Sequence, residues 1–235
     1  MIITDAVILD RIPFVVDDEA LLKRLRLTRD SEYVDRVLAL ARQAEAVARP
    51  KALFRPAYIE IKGEDYIVAE GIKLTSKLWI ANTGATQRIF PYLVTCGQEI
   101  AHWAGGFNDV FDDYTADVLQ DMARKAALTA VIARIDGEFR LENASSMNPG
   151  SLKEWPIQEQ TPLFALFGGQ HRLIGVELTD SLLMRPVKSV SGVRFAATHT
   201  FVNCRLCPRQ NCPSRLAPRG ETAGEAERQD DGLAM

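Results

Sequence analysis

Apolar side chains at helical spacing predict two helices in the first fifty residues. The segment DDEALLKRLRL, which starts at Asp17, has apolar residues every three or four positions after acidic residues that favour a helix start. The next segment, DSEYVDRVLALARQAEAVARP, keeps the same period. We expect Asp30 or Ser31 to cap its start and Pro50 to end it. The pattern therefore predicts a pair of helices over 17–49.

A third helix, the longest, is predicted over 109–134. One stripe of it carries apolar and aromatic side chains, at Phe111, Tyr114, Val118 and Met122. Gly137 follows, and glycine is typical of the position just after a helix end. A Pro/Gly-rich loop over 145–156 and a short helix over 157–167 come next.

Extended segments account for most of the remaining apolar residues. Strands are predicted at 52–60, 66–71, 88–97, 171–179 and 190–202. Helices come first, and the strands are then interrupted by one long helix, which differs from the βαβ alternation of a nucleotide-binding sheet. This order indicates a single α+β domain over 1–215. Residues 216–235 lack apolar periodicity, and we expect a disordered tail there.

Composition and charge exclude several classes of partner. The 235 residues are 47% hydrophobic and 25% charged, with a formal net charge of −3, which gives no electrostatic basis for binding nucleic acid. No apolar run approaches the about 20 residues of a membrane span. Asp5 and Asp10 interrupt the apolar N-terminal stretch, so it is a poor secretory signal. We therefore expect a cytoplasmic protein with reduced thiols.

Three of the four cysteines lie within nine residues, in CRLCPRQNC. A disulfide pair with one spare thiol, a zinc site and an iron–sulfur cluster all fit that count, but a reducing compartment favours metal over a disulfide. Cys204, Cys207 and Cys212 are the candidate ligands, and Cys96 is the fourth if the fold brings it near. The spacing leaves iron–sulfur cluster, zinc and free or redox-paired thiols all open.

Motifs of common enzyme classes are absent from the sequence, which contains no G-x-G-x-x-G, Walker or G-x-S-x-G segment. The three histidines are scattered without metal-ligand spacing. Asp112 and Asp113 are adjacent carboxylates. Because they lie next to a predicted helix start, we interpret them as stabilising the helix through its dipole and not as an acid–base pair. No catalytic residue is therefore assigned.

Two loops are candidates for binding a small polar molecule. In 145–160, an Asn-Pro-Gly turn precedes Trp155 and Pro156, so exposed amides lie near an aromatic ring. In 175–192, hydroxyl groups precede the flexible Gly192. We expect both loops to face a common groove. The alternative is that each loop is an ordinary turn that covers an edge of the core and binds no ligand.

The second loop carries a family resemblance. LTDSLLMRPVKSVSG, residues 178–192, resembles the L-T-x-S-x-x-M-x-P-x-x-S-V-S-G segment of the activation domain of vitamin B12-dependent methionine synthase. DDYTADVLQDMARKAAL is similar to that domain's D-D-Y helix, and the loop at 148–156 falls where the domain has its S-adenosylmethionine-binding loop. The resemblance covers 87–202 and is closest to stand-alone activation-domain-like proteins.

The resemblance implies one α+β domain with a twisted antiparallel sheet flanked by helices. It also implies an accessory role in reductive reactivation of a corrinoid methyltransferase such as methionine synthase. In that reaction one electron and a methyl group from S-adenosylmethionine restore methylcobalamin from Co(II). The chain has no D-x-H-x-x-G corrinoid motif, so the cobalamin belongs to a partner. An electron donor protein, or an iron–sulfur cluster on the three cysteines, supplies the electron.

The site residues follow from the matched motifs and their neighbours. The predicted groove consists of Ser146, Asn148, Pro149, Gly150, Trp155, Pro156, Ser189, Ser191 and Gly192. Two positions depart from the family, because Ser146 replaces an arginine that binds the ligand carboxylate and Ser151 replaces a tyrosine. A serine hydroxyl is a weaker carboxylate ligand than a guanidinium. We therefore expect weak affinity for S-adenosylmethionine unless another cation substitutes, with Lys188 and Arg185 the nearest in the second loop.

Two alternatives come from other functional classes. One is a non-redox, zinc-knotted module that binds S-adenosylmethionine or caps a corrinoid. The other is a scaffold that covers the cobalamin face without chemistry.

Overall fold

A mixed set of short helices, one long helix and an antiparallel sheet forms the chain. The computed structural model describes residues 6–84 and 86–197. The helices are α1 (Asp18–Leu25), α2 (Val34–Val47), α3 (Leu78–Thr83), α4 (Gln98–Ala104), α5 (Val110–Phe139) and α6 (Gln160–Ala165). Short 3-10 turns lie at Ile157–Glu159 and Gln170–Ile174. The strands are β1 (Val7–Leu9), β2 (Lys51–Phe54), β3 (Ala57–Lys62), β4 (Tyr66–Ala69), β5 (Ile72–Thr75), β6 (Arg88–Thr95), β7 (Ala144–Met147), β8 (Glu177–Leu178), β9 (Met184–Arg185) and β10 (Ser189–Ala196).

The central strand of the sheet is β6. Along one edge its C-terminal half pairs with β2 and its N-terminal end pairs with β3, while along the other edge it pairs with β10. From there β1 adds to β2, β4 and β5 add to β3, and β7 adds to the outer edge of β10. Every pairing is antiparallel. The α+β class and the antiparallel sheet flanked by helices are therefore confirmed.

A proline inside the central strand explains why its partner strand is broken. Pro91 lies in β6 and has no N–H to donate, so its position cannot complete a ladder with β2 and β3. Its carbonyl accepts from Arg55 N at 3.1 Å, at the point where β2 ends and β3 begins. The single strand predicted over 52–60 is therefore two strands.

Both faces of the sheet are covered. The long helix α5 packs on one face, over a cluster that includes Phe54, Phe90 and Val131. On the opposite face lies a larger cluster formed by the two fully buried tryptophans, residues of α6 and the inward side chains of β6 and β10. A third cluster joins α1, α2 and α4 to the first half of α5.

Several predicted boundaries differ from the structure. The first two helices are confirmed, but α2 begins after Tyr33, without a side-chain cap. Residues 145–147, predicted as the start of a loop, belong to β7, which extends the ladder on β10. The strand predicted over 171–179 is a 3-10 turn followed by the two-residue β8. The domain limit at 215 and the tail over 216–235 lie outside the described residues.

The long helix continues past its predicted end. Asp109 caps its start, because its carboxylate accepts from the backbone N–H groups of Phe111 and Asp112, both at 3.0 Å. The helix then runs through Gly137 to Phe139, and Arg140 caps its end in a left-handed conformation with φ 51°. Within 6–84 and 86–197, no helix has both the length and the apolar character of a membrane span.

Replacing Gly137 by alanine should stabilise the protein. The glycine lies inside α5, and an added Cβ would meet nothing within 4 Å. Because alanine lowers the backbone entropy of the unfolded chain, the free energy of unfolding should rise by about 0.5–1 kcal/mol, measured by urea titration.

Gly71→Ala is the matched control. That site is also open within 4 Å, but its φ is +74° in the turn between β4 and β5. An alanine there adopts a left-handed conformation at a cost of about 1–2 kcal/mol. Equal effects of the two substitutions would contradict the assignment of Gly137 to a regular helix.

Candidate functional site

The two loops singled out in the sequence meet at the ladder between β7 and β10. Ser146 lies opposite Arg194, and Met147 lies opposite Val193. Just beyond β7, the Asn148 amide donates to the backbone carbonyl of Ser191 at 2.8 Å. Tertiary pairing therefore brings residues 145–148 and 191–194 side by side, although more than 40 residues separate the linked pair in sequence.

Gly192 makes this close approach possible. A Cβ at this position would overlap the Asn148 amide nitrogen and the Tyr92 hydroxyl. Asn148 Nδ2 donates to Tyr92 Oη at 2.8 Å, across the gap that the missing side chain leaves. The glycine that closes the S-V-S-G segment thus has a packing role, independent of any ligand.

Tyr92 is the buried centre of a polar network under α5. Burial raises the pKa of the Tyr92 hydroxyl, and hydrogen bonds from Asn148 and Ser146 and the positive charges of Arg194 and Arg124 oppose that rise. The phenol is consequently a neutral hydrogen-bonding group at physiological pH. Sequence reasoning did not identify Tyr92, because its partners come from strands far away in the chain.

A cation occupies the space beside Ser146. Arg194 Nη1 donates to Ser146 Oγ at 3.3 Å, while Arg194 Nε and Nη2 donate to the two carboxylate oxygens of Asp136 on α5, at 2.9 and 2.6 Å. Sequence reasoning missed this residue and named Lys188 and Arg185 instead. Strand alternation could have indicated Arg194 from the sequence. Residues two apart in a strand lie on one face of the sheet, so Arg194 shares a face with Gly192, which was already predicted to line the groove.

The two cations named from sequence lie elsewhere. Lys188 pairs with Asp117 at 2.8 Å, and Arg185 lies in β9, before β10 begins. Six positions separate Lys188 from Arg194, which corresponds to about 20 Å along a strand. Neither is the cation nearest to Ser146.

The turn after β7 has a polar exposed side and a buried aromatic side. Gly150 is exposed with φ +79°, and its N–H donates to Trp155 O at 2.8 Å. The Trp155 ring is fully buried and packs edge-to-face on Trp79, with ring centroids 5.1 Å apart. The prediction that Trp155 lines the ligand groove is therefore wrong for its ring, because the ring packs in the core. Pro149 is buried and Pro156 is exposed.

In the second loop, the Ser189 hydroxyl is already hydrogen-bonded and the Ser191 hydroxyl is buried. Ser189 Oγ donates to Pro186 O at 2.7 Å, which holds the turn before β10. Ser191 Oγ is buried and has no hydrogen-bond partner among the described residues. It faces the core side of the sheet, opposite to Gly192.

Cys96 lies in an apolar environment between the helices and the sheet. Its side chain is fully buried, and burial raises the pKa of its thiol to about 12. Metal ligation and alkylation both need the thiolate, which such a pKa disfavours. The other three cysteines, and His199, lie outside the described residues, and among those that are described no three His, Cys, Asp or Glu side chains form a metal-binding group.

The position of Cys96 also weighs against its role as fourth ligand. Its N–H donates to Lys188 O at 3.0 Å, at the start of β10. The described chain ends at Ala197, nine positions later, which corresponds to about 30 Å of strand. The seven residues from there to Cys204 span at most about 25 Å. Because about 25 Å is less than about 30 Å, even a fully extended connection leaves the Cys204 backbone short of Cys96.

Gly192→Ala should destabilise the protein. The new methyl group overlaps Asn148 and Tyr92, and overpacking of this kind costs about 1–3 kcal/mol in the free energy of unfolding. Urea titration measures the loss, with Gly137→Ala as the same substitution at an open site. A variant as stable as the wild type would show that the Tyr92–Asn148 contact is not tight.

Cys96 should resist alkylation in the folded protein. With a thiol pKa of about 12, the thiolate fraction at pH 8 is about one part in ten thousand, against roughly a quarter for a free cysteine. Peptide mass spectrometry after iodoacetamide treatment should show Cys96 unmodified in native protein and modified in guanidinium chloride. Equal labelling in both conditions would contradict the burial.

Comparison with known proteins supports the fold. No family model and no curated protein sequence matches the chain. Among solved structures, it is similar to the MetH reactivation domain bound to AdoHcy, with a TM-score of 0.55 and 16% sequence identity over 82% of this chain and 78% of that chain. The resemblance stated from the sequence is thereby confirmed at the level of structure. The chain has the fold of the MetH reactivation domain.

Proposed function

We propose that the protein is an accessory factor for reductive reactivation of a corrinoid-dependent methyltransferase. The observation that carries this proposal is the shared fold with the MetH reactivation domain over 82% of the chain. The segments that match the family's ligand loop and S-V-S-G turn are in direct contact, through Asn148 and Ser191. Because a shared fold alone fits many functions, the contact between the matched segments adds local support to it.

The chain's own residues fit an S-adenosylmethionine-type ligand in part. The carboxylate of the ligand's amino-acid end needs a cation, and Arg194 lies beside Ser146 of β7. The turn at Gly150 is exposed, but the N–H groups of Gly150 and Ser151 already donate within the turn, to Trp155 O and Asn148 O, so a ligand does not gain them as donors. In this proposal the ligand supplies the methyl group, and the protein binds it and orients it toward a cobalamin held by the partner.

Cys204, Cys207 and Cys212 are proposed to bind one metal centre. If that centre is an iron–sulfur cluster, it passes the required electron within the same chain; if it is zinc, a separate donor protein must do so. Because Cys96 is buried with a raised thiol pKa, we propose that the fourth ligand comes from the partner or from solvent. An open position suits electron transfer better than a closed structural site.

The metal centre has a direct test. Protein purified without oxygen should show broad visible absorbance near about 400 nm together with bound iron, and Cys207→Ser should abolish both. Cys96→Ser is the matched control and should retain the absorbance. Bound zinc without colour would favour the non-redox module, and colourless, metal-free, folded protein would refute the metal centre.

Reactivation is tested on a corrinoid methyltransferase that lacks its own reactivation domain. With the cobalt in the Co(II) state, S-adenosylmethionine and a reductant, the protein should restore turnover, and methyl-labelled S-adenosylmethionine should transfer its label. Omitting either the protein or the methyl donor should prevent recovery. If a full set of corrinoid partners remains inactive in its presence, the proposed function is wrong.

A further inference from the structure

On the basis of the ligand site proposed above, we propose that Arg194 binds the ligand's carboxylate in this protein, with Asp136 holding its guanidinium in place. The family has an arginine where this chain has Ser146. In this chain the positively charged residue is on the neighbouring strand, β10, and not on β7.

The cross-strand register supports this exchange. Ser146 and Arg194 are direct partners in an antiparallel pair, so their Cβ atoms lie about 4.5–5.5 Å apart on the same face of the sheet. An arginine at 146 would place a second positive charge directly opposite Arg194, and like charges in such a pair are destabilising. With a serine at 146 and an arginine at 194, this cross-strand pair keeps one positive charge and avoids the repulsion between two.

The hydrogen bonds of Arg194 leave one edge of the guanidinium for a ligand. Asp136 takes the edge formed by Nε and Nη2, with two bonds at 2.9 and 2.6 Å. The other edge is formed by Nη1 and the second hydrogen of Nη2. On that edge Ser146 Oγ accepts from Nη1 at 3.3 Å, which is long for such a bond. A carboxylate is a stronger acceptor than a hydroxyl and binds such an edge through two parallel bonds.

Burial and charge define the ligand class. The Arg194 side chain is 15% exposed and Asp136 is 29% exposed, so the pair lies at a boundary that a ligand can reach. The pair also presents one positive and one negative group, as an α-amino acid does. We therefore assign the amino-acid end of S-adenosylmethionine or S-adenosylhomocysteine to this position.

The experiment compares two ligands that differ in that end. S-Adenosylhomocysteine carries the amino-acid group, whereas 5′-methylthioadenosine has the same nucleoside thioether without it. Calorimetry, with and without the corrinoid partner, should show that Arg194→Gln weakens S-adenosylhomocysteine binding by about ten- to a hundred-fold and leaves 5′-methylthioadenosine unchanged. Arg194→Lys should lie between wild type and Arg194→Gln, because it keeps the charge and loses the fork geometry.

Two further variants make the result decisive. Arg185→Gln removes an exposed cation from the second loop and should bind both ligands as the wild type does. Arg194→Gln combined with Asp136→Asn removes both charges, which avoids an unpaired carboxylate, and should show the same selective loss.

The outcomes separate this inference from the proposed function. If Arg194→Gln binds S-adenosylhomocysteine as tightly as the wild type, Arg194 is not the carboxylate ligand, while the proposed function stands. The same conclusion follows if Arg185→Gln gives the selective loss. If wild-type protein binds neither ligand even with the partner present, both the assignment and the proposed site are refuted.

Discussion

The antiparallel ladder between β6 and β10 is the contact on which the rest of the structure depends. It runs from the pair Ser189–Thr95 to the pair Phe195–Ile89 without interruption, and each strand also holds a further strand on its other edge. Because β6 lies between the faces covered by α5 and by the tryptophan cluster, its side chains alternate between two cores. The ladder therefore fixes which residues of β10 face the helix and which face the core.

A polar network under α5 follows from that register. Buried polar groups must be hydrogen-bonded to be tolerated, and here Tyr92, Asn148, Ser146, Arg194 and Asp136 satisfy one another across three strands and a helix. Gly192 is the empty position that lets Asn148 reach Tyr92. The same network holds the turn after β7 against β10, so a ligand site at that edge would rest on a rigid base. The network also links the proposed ligand site to the long helix.

Cys96 is a structural residue of the core. Cys96 behaves as a small buried apolar side chain, with a thiol whose pKa is raised by its surroundings. The CRLCPRQNC segment follows β10 in sequence and lies outside the described residues. The metal centre proposed for that segment therefore does not use Cys96 as a ligand.

The sequence by itself determined the fold class, the first two helices, most of the long helix, the buried central strand and the family resemblance. These features depend on local periodicity and on short motifs, which a single chain displays directly. Only the tertiary structure decided that 144–147 is a strand, that the Trp155 ring belongs to the core, that Cys96 is buried, and that Arg194 lies beside Ser146. Each of those facts depends on which strand pairs with which and in what register. Register is set by packing between segments that lie far apart in the chain, so no local pattern contains it.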